Sequence, residues 1–519
     1  MTRGPLTIVD LMRGRFAPLF PNETWRAWVV VAAVVFGLSW GLSQEDQALA
    51  LALLGRRTLP REPAREFWAV VGRRGGKSRF VAWLAVFLAA FRDYRGVLSP
   101  GERGIGMIIT PDRRQARVAF RYVAAILESD PMLAALVESQ TREAIHLRCG
   151  VSIEVHTASF RTLRGYTVVF AIVDEAAYLP TDDSAEPDTE LLAALRPAMA
   201  TVPGALLMVI SSPYARRGEL WRAYQEHFGR DDDPVVVIQA GTRAMNPTVD
   251  QRVIEQAYLD DEAVASAEYG AQFRRDLEAF ISREVLDAAT MPGLHERPPV
   301  PGVRYTAFVD PSGGGADSMT LAIAHQERDR SVLDCLREAR PPFSPEAVIA
   351  EFVGALQSYR IAMVVGDRFG GEFAREPFRK AGIEYRLSAA AKSDLYRDVL
   401  PLINSGRVEL LDHRRLVAQF TGLERRTSRG GRDSIDHAPG AHDDVCNAAA
   451  GALLAAMRAD QEMSRELIRF CLTAGAGEPD PLYAGHSSRS DYLRKELNEE
   501  DESPPHRLTE SSTLWTIDH

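Results

Sequence analysis

Val70-Val71-Gly72-Arg73-Arg74-Gly75-Gly76-Lys77-Ser78 stands between a short apolar segment and the helix-like run Phe80-Val81-Ala82-Trp83-Leu84-Ala85-Val86-Phe87-Leu88. Strand, glycine-rich loop and helix in that order read as a phosphate-binding loop, the alternative being a glycine-rich turn with a surface lysine. Backbone N–H groups converge on the phosphates at the helix N-terminus, Gly75 and Gly76 let the backbone come close, Lys77 neutralises charge, and the Ser78 hydroxyl reaches Mg²⁺. The fit to G-x-x-x-x-G-K-[ST] is imperfect, because Val71 occupies the first glycine position and Gly72 comes one residue late.

A chain of 519 residues is too long for one hydrophobic core, so two or three domains are expected. With 46% hydrophobic and 25% charged residues, it has the composition of a soluble globular protein. The net charge of −10 excludes a protein that coats nucleic acid with its whole surface, but not local basic grooves or bound cations that reverse the local field. Cys149, Cys335, Cys446 and Cys471 form no C-x-x-C pair, which points to free thiols in a reducing cytoplasm. The apolar run Trp28 to Leu42 is shorter than the roughly 18–20 residues of a spanning helix, so a buried helix packed on the first domain is expected, and no membrane association.

Beyond the loop, apolar strand-like runs (105–110, 151–156, 168–173, 205–210) alternate with helical ones, which implies an α/β domain with a parallel sheet. The run ending at Val173 leads into Asp174-Glu175. Next to a phosphate loop, such an aspartate holds Mg²⁺ and the following glutamate positions or deprotonates the attacking water. Ser211-Ser212-Pro213 ends the next strand, where hydroxyls either sense the γ-phosphate and couple it to a moving element or cap a turn. Arg161 and Arg164, just upstream of the Asp-Glu strand, are either arginine fingers for a neighbouring subunit's nucleotide or solvated arginines.

Residues 246–289 read as helical and charged, and 291–302, with four prolines and two glycines, as a hinge. Past it, a strand ends in Asp310, with Asp317 close behind, a second strand ends in Asp367, and a last helix opens with His442-Asp443-Asp444. Carboxylates delivered from two strand ends and a helix start can gather around two divalent cations, Mg²⁺ or Mn²⁺, for in-line attack on a phosphodiester. Arg425, Arg426, Arg429 and Arg432 crowd a segment expected to be a flexible loop that either binds DNA phosphates or is a solvated surface loop, with DNA the favoured reading. The expected layout is a helical region over 1–60, the ATPase core over 61–245, a helical linker and hinge over 246–302, the nuclease over 303–458, and an acidic, flexible tail over 459–519.

Taken together, these residues resemble the large subunit of bacteriophage DNA-packaging terminases. The resemblance rests on the order of the Arg73-x-x-Gly76-Lys77-Ser78 loop, Arg164-Gly165, Asp174-Glu175, Ser211-Ser212-Pro213 and the three acidic clusters. It implies an ASCE-type P-loop ATPase that uses ATP and Mg²⁺ to translocate double-stranded DNA into a procapsid, followed by a ribonuclease H-like endonuclease that cuts concatemers. It also implies a small terminase subunit, a portal protein and a homo-oligomeric ring as partners, in the cytoplasm of a bacterial host and transiently on the portal. Within it, Arg73 either contacts phosphate or supports the loop; Asp174 serves the metal and Glu175 the water. Asp310, Asp367 and Asp444 form the nuclease metal site, with Asp443 and Asp317 accessory. Some members carry an aspartate where this chain has Asn447, which leaves the third cluster dependent on Asp443 and Asp444. Two readings compete: a DNA helicase or remodelling ATPase with an inactive nuclease-like domain, and an NTP-regulated resolvase- or integrase-type nuclease.

Overall fold

In the computed structural model the described residues are 6–157, 165–179, 184, 186–314, 317–367, 371–427, 433–438 and 441–474. Arg161, Arg164, Arg429 and Arg432 lie outside them. The first half is built on β1 (Glu66–Val71), β2 (Gly104–Thr110), β3 (Val137–Gln140), β4 (Ala144–Leu147), β5 (Val151–Thr157), β6 (Val168–Asp174), β7 (Leu206–Ser211) and β8 (Val235–Ala240). These eight form one sheet in the order β3-β4-β5-β2-β6-β7-β1-β8. From β5 to β8 every neighbouring pair is parallel, while β3, β4 and β5 make an antiparallel edge. The strands are apolar on both faces because helices cover both. Phe67, Ala69 and Val71 of β1 point into a core shared with the N-terminal helices, and Trp68 and Val70 into a core shared with helix Pro187–Met199.

One strand, β7, is inserted between β1, which feeds the phosphate loop, and β6, which ends in Asp174. That is the additional-strand (ASCE) arrangement, and it sets Ser211 and Ser212 between the loop and the Asp-Glu pair. Residues 22–54 supply helices Asn22–Val35 and Gln44–Leu54. Among the described residues no helix is long and apolar enough to cross a membrane.

The second half contains β10 (Thr290–Met291), β11 (Tyr305–Asp310), β12 (Met319–Glu327), β13 (Arg330–Ala339), β14 (Met363–Gly366), β15 (Glu384–Leu387) and β16 (Val408–Leu411), in the order β10-β16-β13-β12-β11-β14-β15. Counted from β11, a three-stranded antiparallel meander with two parallel strands added beside its first member is the ribonuclease H-like order. Phe308 faces helix Asp444–Ala474, while Ala307 and Val309 face helix Pro345–Ser358. The first of these contacts is close: a Cβ on Gly451 would lie 2.3 Å from the Phe308 ring, so only glycine lets the helix sit down on β11.

Three expectations are corrected. The 246–289 segment is not purely helical, because Leu277–Ala279 forms β9 and pairs with β17 (Leu423–Thr427), itself paired with β18 (Asp433–His437). The proline-rich run is not a hinge: it is strapped along the C-terminal sheet. β10 already pairs with β16, Phe280, Ile281 and Leu286 lie in the C-terminal core, and Arg297 N–H donates to Asp334 O at 2.8 Å. Helix Asp444–Ala474 also runs well past 458.

Candidate functional site

At the first candidate centre, helix Lys77–Phe91 starts at Gly76, whose φ of +91° a side chain rarely adopts, and no side chain caps it. Its first-turn N–H groups are thereby offered to an anion. Buried Lys77 donates from Nζ to Val71 O (3.1 Å) and Ser212 Oγ (2.8 Å), and lies 3.4 Å from Glu175 Oε1. Ser78 Oγ is 3.4 Å from Asp174 Oδ2. Glu175, held at a φ of +52°, accepts on Oε2 from Ser211 Oγ and Ser212 N–H, both at 3.3 Å. Burial raises Asp174 to about 7, with the Glu175 charge adding to the rise and Lys77 opposing it. The structure therefore gathers Gly75, Gly76, Lys77, Ser78, Asp174, Glu175, Ser211 and Ser212 at one point. These residues fit a nucleotide with its hard, oxygen-bound cation.

Arg73 resolves differently. Its N–H donates to Glu268 O at 2.5 Å, its guanidinium pairs with Glu268 Oε1 at 3.1 Å, and it lies over the Tyr178 ring, 5.9 Å from the centroid. Its own carbonyl accepts from Thr242 Oγ1 (2.7 Å), and Arg74 O accepts from Asn246 Nδ2 (2.9 Å). In this state Arg73 supports the loop. A further support escaped sequence reading: Trp28 Nε1–H donates to Gly75 O at 2.7 Å, and its ring stacks on Phe80 at 4.2 Å.

At the second centre β11 delivers Asp310, and Asp367 follows β14, its N–H donating to Val309 O at 3.1 Å. Asn447 joins them, with Nδ2 donating to Asp310 Oδ2 (2.8 Å) and Asp367 Oδ2 (3.0 Å). Asp444, one turn earlier on the same helix, accepts from Ser318 N–H at 3.1 Å. Burial pushes Asp310 well above the usual carboxylate range; the Asn447 bond opposes this, and the charges of Asp444 and Asp367 add to it. Burial raises Asp444 to about 6.

Asp443 does not join this group. Adjacent residues at a helix start point in different directions, and Asp443 turns to Lys392 Nζ (2.9 Å) and Tyr396 Oη (2.9 Å). Asp436, His437 and Asp443 form the one cluster of three among the described residues whose ligand atoms lie within 4.8 Å of one another, and Lys392 already sits in it, 3.2 Å from Asp436. Asp317 pairs with His442 at 3.4 Å. The expected trio does not close up: Asp310, Asp367 and Asp444 do not bring ligand oxygens within 4.8 Å of one another, although the Asp444 charge still bears on Asp310, and it is the pair Asp310 and Asp367 that offers oxygen ligands to a divalent cation.

The expected arginine loop is in part regular structure. Arg425 and Arg426 lie on β17; Arg425 Nε donates to Asp433 Oδ2 (2.7 Å), and Arg426 Nη2 to His437 O (3.1 Å). Strand pairing orders them because Asp433–His437 supplies both the ladder and the acid.

No protein-family model matches the chain, and no curated protein does. Among solved structures it is similar to the HK97 bacteriophage large terminase, at 17% identity and a TM-score of 0.35, covering 83% of this chain and 99% of that one. It is also similar to the large terminase of a thermophilic bacteriophage in complex with ADP (12% identity, TM-score 0.34, 78% of this chain and 96% of that one). A third is a magnesium-bound large terminase nuclease, also from a thermophilic phage (19% identity, TM-score 0.30, 34% of this chain and 96% of that one). In the order of its motifs and the pairing of its two domains, the chain resembles the large terminases of tailed bacteriophages.

Proposed function

We propose that the chain is a large terminase subunit, which hydrolyses ATP to drive double-stranded DNA into a viral procapsid and cuts concatemeric DNA with divalent cations. What supports this reading is the presence, in one polypeptide, of a phosphate-loop centre and a carboxylate centre on two sheets whose halves are tied at buried Glu424, where Tyr214 and Arg217 of the first half converge.

In the ATPase half, Lys77 and the loop N–H groups hold the phosphates, and Ser78 and Asp174 take Mg²⁺. Glu175 orients the attacking water, and Ser211 and Ser212 report the state of the γ-phosphate to the segment that follows them. In the nuclease half Asp310, Asp367 and Asp444 hold two cations, Mg²⁺ or Mn²⁺, which supply Lewis acidity and an activated water when bound. Arg425 and Arg426 of β17, with Arg429 and Arg432 of the segment that follows, bind the DNA phosphates. Arg161 or Arg164 serves a neighbouring nucleotide in a homo-oligomeric ring, on a portal and beside a small subunit, within a bacterial cytoplasm. Asn447, neutral among carboxylates, favours the helicase-like alternative with an inactive second domain. DNA-stimulated ATP turnover and processive movement on linear duplex, both abolished by Lys77→Ala, test the motor; ATP turnover indifferent to DNA overturns it.

A further inference from the structure

Asn447 is fully buried, and its Oδ1, unlike its Nδ2, has no hydrogen-bond partner among the described residues. The carboxylates of Asp310 and Asp367, brought side by side at neighbouring strand ends, repel each other wherever both are ionised. A bridging divalent cation satisfies them; so do the two amide protons of Asn447, bonded at 2.8 Å and 3.0 Å to one oxygen of each. A cation taken up by this pair would compete with those two hydrogen bonds. A carboxylate at position 447 would add repulsion without a cation and attraction with one, whereas the amide does the reverse.

We propose that Asn447 is a built-in stand-in for the bridging cation and sets the cation affinity of this centre. Its amide holds the Asp310–Asp367 pair together when the site is cation-free and must release it when a divalent ion enters. Asn447 is thus a positioning residue that lowers affinity, so the centre is charged only at high cation concentration. The proposal rests on the reading of Asp310 and Asp367 as the nuclease centre.

The test is Mn²⁺ binding to the full chain by titration calorimetry, with the Mn²⁺-induced rise in Tm as second readout, in an Asp174→Asn background that silences the ATPase site. Asn447→Asp is expected to tighten Mn²⁺ binding about 10–100-fold, with a lower Tm than the parent in the absence of Mn²⁺ and a larger rise on adding it. Asn447→Ala, which removes the competing hydrogen bonds without adding charge, is expected to bind Mn²⁺ at least as tightly as the parent, and decides the matter if Asn447→Asp does not fold. Unchanged or weaker binding in Asn447→Asp, or weaker binding in Asn447→Ala, overturns the proposal. Asp367→Ala separates the two levels: if it binds Mn²⁺ as the parent does, the nuclease-centre reading itself fails.

Discussion

Tyr214 donates its hydroxyl to Oε2 of Glu424 at 2.7 Å, and this bond ties the strand end that carries Ser211 and Ser212 to the C-terminal hairpin. Arg217 reaches Oε1 of the same buried carboxylate at 2.6 Å, and Arg426 lies 3.5 Å from Oε2. Back toward the nucleotide site, the Tyr214 ring lies 5.5 Å from that of Tyr178, over which Arg73 stacks. A continuous path of contacts therefore runs from the phosphate loop to β17.

Cutting that path has a measurable cost. Tyr214→Phe should lose about 1 kcal/mol, because it deletes one bond to a carboxylate that keeps its arginines. Glu424→Ala should lose roughly 3–5 kcal/mol, because it strands half-buried Arg217 and Arg426. Chemical denaturation of both variants checks the order; a Glu424→Ala protein as stable as its parent contradicts the pairing.

The N-terminal helix should matter to nucleotide binding. Trp28→Ala removes a stacked indole and its bond to Gly75 O, for roughly 3–5 kcal/mol of stability, and frees the loop. ATP affinity, measured with a fluorescent analogue, should fall for Trp28→Ala and fall less for Trp28→Phe, which keeps most of the stacking area.

Asp174 predicts a pH dependence. Its folded pKa, about 7, lies above that of an unfolded aspartate, so the native chain keeps a proton that the unfolded chain has released. The associated stability is complete below about pH 4 and is lost as pH rises through about 7. In cation-free buffer the parent should therefore lose more Tm between pH 5 and pH 8 than Asp174→Asn, which carries no titrating group there. Equal losses in the two proteins contradict the assignment.

Both sheets and most of the two centres were legible in the sequence because strand ends carry the chemistry. Apolar runs that stop at Asp174, Ser211, Asp310 and Asp367 place polar groups at one edge of a sheet whatever the details of packing. What remained hidden depends on contacts between residues far apart in the chain. Nothing local in Trp28 points to a carbonyl 47 residues on, and nothing in Glu424 tells of a tyrosine in the other half. Pro292 to Pro301 suggested a hinge because proline breaks helices and strands, yet a chain without regular structure can still be strapped to a sheet edge through its remaining N–H groups, as at Arg297. Asp443 and Asp444 looked equivalent as neighbours; the helix start divides them, sending one to Lys392 and Tyr396 and the other to Ser318.

The central claim, two separate active centres on one chain, is tested most directly by assaying ATP hydrolysis and plasmid cleavage, with Mg²⁺ or Mn²⁺, in Lys77→Ala and Asp367→Ala side by side. Loss of the buried lysine that faces Ser212 and Glu175 should lower ATP turnover by about a hundredfold or more while cleavage persists, and loss of Asp367 should abolish cleavage while ATP turnover persists. Cleavage that survives Asp367→Ala, or ATP turnover that survives Lys77→Ala, contradicts the account.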